Sequence, residues 1–269
     1  MITDFGNKDY FIGTLKGVIK KINPYIEVID ISNEIPSYSI LPAMFALDKT
    51  YGFFPAGSLF LVVVDPGVGT KRKILLVEHE DYLFIAPDNG VLTPILQKQE
   101  KTVSIIDNKN YFLIDGISTF EARDKMAPAA AYLLHGVDPR LMASPTGEYI
   151  SHPDYFPSLS VSADNEDVRI EGIIVYIDKF GNLMTNITAE FLFENLGKSG
   201  CKTFDVQLNN HTVERFYDTY GQSGSGPFML IGSHRNLEIA VNQASAAAAL
   251  NARIGEKIVI CLRRQGGSF

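Results

Sequence analysis

The chain has 269 residues, of which 46% are hydrophobic and 20% charged. That is enough apolar content for a full core and too much for a disordered or disulfide-stapled scaffold. Lys and Arg number 24 against 31 Asp and Glu, a net charge of −7, and no basic block points to a nucleic-acid surface.

After a short start at Ile2 and Thr3, the residues Phe11, Ile12, Leu15, Val18, Ile19 and Ile22 recur at helical spacing and stop before Asn23-Pro24. This predicts an amphipathic helix. Residues 26–31 read as a strand, 40–51 as a helix, and 59–64 as a fully buried strand. Strands are expected at 74–77 and 82–86, and a helix centred on 127–134 that ends at Gly136. The alternation predicts a layered α/β domain over 1–150 with a mainly parallel sheet. Between Ala143 and Asp167 the prolines 145, 153 and 157 break all periodicity, so 151–165 reads as a linker. Strand-like runs at 168–177, 203–208, 228–231, 237–241 and 257–262 then predict a smaller, mainly antiparallel β domain over 166–269. One helix is expected near 188–196 and an alanine-rich one from Ala244. The apolar run 59–64 is too short to cross a membrane, and the opening Met1-Ile2-Thr3-Asp4 lacks the pattern of a secretory signal. A soluble, cytoplasmic protein is expected.

Three carboxylates, Asp4, Asp65 and Asp88, stand just after expected strands. Ligands of open α/β sheets bind at the carboxyl ends of strands, so the three are candidates for one site, although Asp88 in Pro87-Asp88-Asn89-Gly90 reads better as a turn residue. Asp65-Pro66-Gly67-Val68-Gly69-Thr70 is glycine-rich but lacks phosphate-loop spacing, and no dinucleotide fingerprint is present. A buried Asp65 compensated by Arg72 fits better. Asp178-Lys179-Phe180-Gly181-Asn182 places a carboxylate, a ring and an amide within five residues, which suits a nucleobase and equally an ordinary β-turn. The histidines 79, 135, 152, 211 and 234 lack ligand spacing and read as surface residues, so no metal site is expected. Cys201 and Cys261 read as buried thiols.

Thr3-Asp4-Phe5-Gly6, Val64-Asp65-Pro66-Gly67-Val68-Gly69-Thr70, Ala86-Pro87-Asp88-Asn89-Gly90, Ser118-Thr119-Phe120, Asp178-Lys179-Phe180-Gly181-Asn182 and Leu237-Glu238-Ile239-Ala240-Val241-Asn242 occur in that order. Together they resemble the S-adenosylmethionine (SAM) hydroxide adenosyltransferases, or SAM hydrolases, relatives of the fluorinases and chlorinases. The resemblance runs from Thr3 to about Ala248. It implies an N-terminal α/β domain, a C-terminal β domain, and a homotrimer with active sites between the N-domain of one subunit and the C-domain of its neighbour. The implied reaction is attack of water or hydroxide on ribose C5′ of SAM, yielding adenosine and methionine. SAM would enter as substrate with no cofactor, and neither nucleic acid nor membrane would be a partner. By motif position, Asp4 would bind the ribose diol and Tyr38 would lie beside ribose and sulfonium. Asp178 and Ser233 would hold the methionine ammonium, while Phe180, Asn182 and Tyr220 would frame the adenine.

Asp65 and Arg72 match two members of that family's Asp-Arg-His water-activating set. The third position differs: where the family reads Ser-x-Thr-Phe-His-Gly-Arg-Asp, this chain has Ser118-Thr119-Phe120-Glu121-Ala122-Arg123-Asp124. Glu121 would then act as the base itself, or pair with Arg72 or Arg123 and leave a slow or inactive SAM-binding protein. An anionic Asp65 where halogenases carry Tyr would repel a halide. Without the resemblance, the alternative is a metal-dependent hydrolase of phosphorylated nucleosides using Asp4, Asp65, Asp88 and Glu121.

Overall fold

The computed structural model describes residues 1–116, 118–161 and 168–263, in two units, Met1–His152 and Pro153–Phe269. The first is built on a six-stranded sheet of β1 (Ile2–Thr3), β2 (Leu59–Val63), β3 (Ile74–His79), β4 (Tyr82–Pro87), β5 (Lys101–Ile106) and β6 (Ala143–Pro145), ordered β1-β2-β4-β3-β5-β6. Alternate side chains of a strand point to opposite faces. Leu61, Val63, Ile74 and Leu76 accordingly pack with Leu15 and Ile19 of the Phe11–Ile22 helix and with the Ala127–Leu134 helix. Phe60, Val62, Leu75 and Val77 pack on the other face with Ala43 and Leu47 of the Ile40–Thr50 helix. Burial of both faces explains why β2 reads as continuously apolar, and it makes this unit a layered α/β domain.

The sheet is mixed, not mainly parallel. β1 with β2 and β2 with β4 are parallel, whereas β3 pairs antiparallel with both β4 and β5, and β5 with β6. The expectation failed because β3 and β4 form a hairpin in which His79 pairs with Tyr82. Its turn, Glu80-Asp81, sets Glu80 at a φ of 50° without the Gly or Asn that marks such turns. Residues 26–31 are not a strand. The neighbouring β1 is only two residues long, so this stretch makes single contacts such as Ile31 N–H to Met1 O at 2.8 Å, with one bridge from Ile2 to Ser32. His79 is buried, not a surface residue.

The second unit contains β7 (Ser158–Val161), β8 (Val168–Ile177), β9 (Leu183–Thr188), β10 (Thr203–Leu208), β11 (His211–Val213), β12 (Pro227–Ile231), β13 (Asn236–Val241) and β14 (Lys257–Arg263). All its described strand pairs are antiparallel, in the order β11-β10-β14-β8-β9-β13-β12 with β7 beside β8, and one isolated bridge, Phe216 to Met229, is parallel. Ile170, Ile174, Leu183, Ile187, Leu237 and Ile239 centre its core, which also buries Cys201. Cys201 and Cys261 are free, buried thiols. The Ala189–Ser199 helix is capped by the Thr188 hydroxyl, which accepts the Phe191 N–H at 3.2 Å, and ends at Gly200 with a φ of 69°.

β7 lies in the stretch read as a linker; its four residues are all exposed, so no periodicity betrays it. Residues 162–165 of that stretch, and 166–167 and 264–269 of the expected second domain, lie outside the described residues. β9 escapes the hydropathy pattern because two polar residues are buried in it. Thr185 donates to Leu237 O at 2.8 Å and Asn186 to Tyr155 O at 2.9 Å. No helix among the described residues is long and apolar enough to cross a membrane.

Candidate active site

The parallel register Thr3 to Val63 and Leu61 to Ile85 brings the ends of β1, β2 and β4 to one edge of the first sheet. Asp4 and Asp65 leave the sheet there. Burial raises the Asp4 carboxyl above its ordinary value; the charge of Asp65 adds to the shift, and a hydrogen bond from the Tyr38 backbone opposes it. That bond, Tyr38 N–H to Asp4 Oδ2, measures 2.8 Å. It holds Tyr38 at a φ of 65° with its ring 73% exposed.

The loop after β2 folds back through local hydrogen bonds. Asp65 Oδ1 accepts the Gly67 N–H at 3.2 Å, and the Thr70 hydroxyl donates to Gly67 O at 2.8 Å. Arg72 is thereby returned to Asp65, its Nε donating to Oδ2 at 2.6 Å and its Nη2 pairing with the same oxygen. Nη2 also lies 2.5 Å from Glu121 Oε2, an ion pair without hydrogen-bond alignment, and Nη1 makes no hydrogen bond among the described residues. The side chains of Asp65, Arg72 and Glu121 are 7%, 7% and 6% exposed.

Glu121 precedes a π-helical turn, Ala122–Met126, that runs into the Ala127–Leu134 helix. Such turns re-aim side chains and recur at functional sites. Lys125, four residues on, pairs with Glu121 Oε1. Of the two arginines expected to engage Glu121, only Arg72 does. Arg123 is taken by its neighbour Asp124, at 2.6 Å from Nε to Oδ1 and 2.9 Å from Nη2 to Oδ2, and Asp124 also accepts the Ser118 hydroxyl. Lys125 was missed from the sequence, although Glu followed four residues later by Lys is a recognised helical pairing signal. Asp88 is buried and accepts the Ile150 N–H at 2.8 Å, a bond that staples the Ile150 loop. Among the described residues no group of three or more His, Cys, Asp or Glu has the arrangement of a metal site, so the four-carboxylate metal reading lacks geometric support.

In the second unit, residues 178–182 turn the chain from β8 into β9. Asp178 Oδ1 accepts the N–H groups of Phe180 and Asn182, each at 2.9 Å, and Oδ2 accepts the Asn182 amide at 3.0 Å. The Phe180 ring stays 66% exposed. Asp178, Phe180, Asn182 and Tyr220 border a cavity of about 550 Å3 with Asn242 and Ser245, within the range of small-molecule sites. The Tyr220 hydroxyl donates to Glu238 Oε1 at 2.5 Å. Burial raises the Glu238 carboxyl, with the Asp178 charge adding and the Tyr220 bond opposing. The Tyr220 phenol is pushed up as well, first by burial and then by its bond to Glu238.

Ser233 does not border the cavity. It is exposed on the turn between β12 and β13, beside Gly232, where a Cβ would stand 2.7 Å from Glu238 Oε2. The turn therefore abuts the Glu238 carboxylate. Glu238 stands within the Leu237–Asn242 motif, where the sequence alone assigns it no role. The available signal was a carboxylate flanked by the apolar residues Leu237, Ile239, Ala240 and Val241 of one strand.

Models of the SAM hydroxide adenosyltransferase N-terminal and C-terminal domains match residues 1–143 and 172–259. A Methanocaldococcus jannaschii protein named (R)-S-adenosyl-L-methionine hydrolase is 29% identical, over 97% of this chain and 94% of its own. One of the same name from Salinispora tropica is 28% identical, over 95% and 94%. The crystal structure of a conserved protein from Thermotoga maritima superposes with a TM-score of 0.83 at 31% identity, covering 97% of this chain and 98% of that one.

Proposed function

Because the chain belongs to the SAM hydroxide adenosyltransferase family, we propose that it hydrolyses SAM to adenosine and L-methionine. The observation that carries this is the buried cluster of Asp65, Arg72 and Glu121 beside Asp4, within the stretch matched by the N-terminal family model. In the reaction a water oxygen bonds to ribose C5′ as the C5′–S bond breaks. The bonding pair goes to sulfur, which leaves as a neutral thioether and needs no acid and no cofactor. The remaining task is to orient the water, accept its proton and hold C5′ in line.

Asp65 is the proton acceptor in this assignment. Its Oδ1 accepts one backbone N–H, whereas both Glu121 oxygens face cations. Arg72 fixes Asp65, and Glu121 fixes Arg72. Asp4 takes the ribose diol with Tyr38 alongside, Asp178 takes the methionine ammonium, and Phe180, Asn182 and Tyr220 frame the adenine. The chain works as a cytoplasmic homotrimer in which the first unit of one copy and the second unit of a neighbour supply the two halves of each site.

The clamping of Glu121 by two cations favours one further reading, a SAM-binding protein without turnover. Incubation of purified protein with each sulfonium epimer of SAM in EDTA, with adenosine and methionine measured by mass spectrometry, separates the two. Equimolar products above a protein-free control support hydrolysis. Binding without product selects the second reading, and activity lost only in EDTA overturns the metal-free mechanism.

A further inference from the structure

We propose that Lys125 is a positioning residue: by holding Glu121 it keeps the Arg72 guanidinium committed to Asp65. The inference rests on the hydrolase reading and gives a role to a residue which that reading leaves without one.

Arg72 offers one positive charge to two buried carboxylates. Asp65 receives its Nε at 2.6 Å and its Nη2, while the same Nη2 stands 2.5 Å from Glu121 Oε2. A cation placed between two anions in a dry site is pulled both ways. Lys125 relieves that pull from the far side by taking Glu121 Oε1. The charges of Asp65, Arg72, Glu121 and Lys125 then alternate in sign and sum to zero, and even the outermost side chain, Lys125, is only 15% exposed. The ammonium lies 5.9 Å from the centre of the Phe112 ring.

The other charged groups facing this row have their own commitments. Asp4 is coupled to Asp65 and bonded to Tyr38, and Asp124, which feels Lys125, is occupied by Arg123 and Ser118. Removing the Lys125 charge therefore leaves a buried carboxylate whose one ion-pair partner among the described residues, Arg72, is already shared with Asp65. Breaking one partner from a buried pair is far more costly than breaking a surface pair. The guanidinium shifts toward Glu121, and Asp65 loses the group that aims it.

The test is a cycle of Lys125→Met, Glu121→Gln and the double variant, with Lys125→Arg as the conservative control. Lys125→Met is expected to lower kcat about tenfold with KM nearly unchanged. The loss should shrink severalfold when Glu121 is already Gln, and Lys125→Arg should retain wild-type values. A Lys125→Met variant with unaltered kcat, or a loss equally large in the Glu121→Gln background, would overturn the proposal and leave Lys125 a packing residue. The 15N–1H resonance of Arg72 Nε, which donates to Asp65 Oδ2, supplies a readout independent of turnover. A resonance shifted in Lys125→Met and returned in the double variant supports the clamp even if no SAM is hydrolysed, while an unmoved resonance refutes it.

Discussion

The Asp4 carboxylate accepts the backbone N–H of Tyr38 at 2.8 Å, and that bond fastens a non-glycine residue at a φ of 65°. The left-handed conformation costs an L-residue about 1 kcal/mol, and the hydrogen bond helps to offset it. In the proposed assignment one side chain is both the ribose acceptor and the group that fixes the ring beside the sulfonium. Asp4→Ala removes both and is expected to weaken SAM binding about tenfold or more, read by calorimetry on a turnover-slow background. Unchanged affinity would refute the ribose assignment.

Asp65→Asn keeps the shape of the side chain and removes its charge. With Asp65 as proton acceptor, kcat should fall by about 10²–10⁴-fold while SAM affinity changes only a few-fold. Equal losses in both would make Asp65 a binding residue instead. Single-turnover kinetics beside equilibrium binding distinguishes the two outcomes.

What the sequence revealed and what it hid follow from the range of the forces involved. The Phe11–Ile22 helix and β8 were legible because apolar residues repeat at the period of the element. Asp4 and Asp65 were legible as candidates because each follows a strand-like start. The β3–β4 hairpin was not, since Glu80-Asp81 carries no turn signature. The Lys125 clamp was hidden for a different reason. An ion pair at helical spacing is usually a solvated surface pair, and only the packing of the π-helical turn against Arg72 makes this one buried. Tertiary placement likewise turned Asp88 into a staple for Ile150.

Because the two halves of the site are assigned to different copies, inactive variants should complement. Asp65→Asn disables the first unit and Asn182→Ala the second, so mixed trimers formed by co-refolding should contain some sites with two intact halves. Turnover in the mixture well above either variant alone is expected. A mixture no more active than its components, in protein that light scattering shows to be trimeric, would place both halves in one chain.

Glu238 provides a pH signature in stability. Its carboxyl is raised by burial and by the Asp178 charge, so the folded state holds the proton more tightly than the unfolded state does. Its contribution to stability is therefore complete below the unfolded carboxylate value and is lost as pH rises through the folded one. Glu238→Gln is neutral, and its amide oxygen can still accept the Tyr220 hydroxyl. The variant should melt above wild type at pH 8, with the gap closing as the pH falls toward 4. A gap independent of pH would show that the carboxylate is not what limits wild type there.

Gly181 tests whether the 178–182 turn sets the shape of the cavity. Its φ is 85°, and an added Cβ would stand 2.9 Å from the Ser245 Cα and closer still to that side chain. Ser245 cannot yield freely. Its hydroxyl accepts the Ala248 N–H at 3.1 Å, and the Ala247 N–H reaches back to Gly181 O at 2.9 Å. Gly181→Ala therefore combines backbone strain with displacement of a cavity-lining residue, and about 2 kcal/mol or more should be lost in urea unfolding. Gly197→Ala is the matched control. That glycine lies inside the Ala189–Ser199 helix with nothing within 4 Å of the added carbon, so the change should stabilise by about 0.5–1 kcal/mol. If Gly181→Ala unfolded like wild type, the turn would have room to relax and would not be holding Ser245 against the cavity.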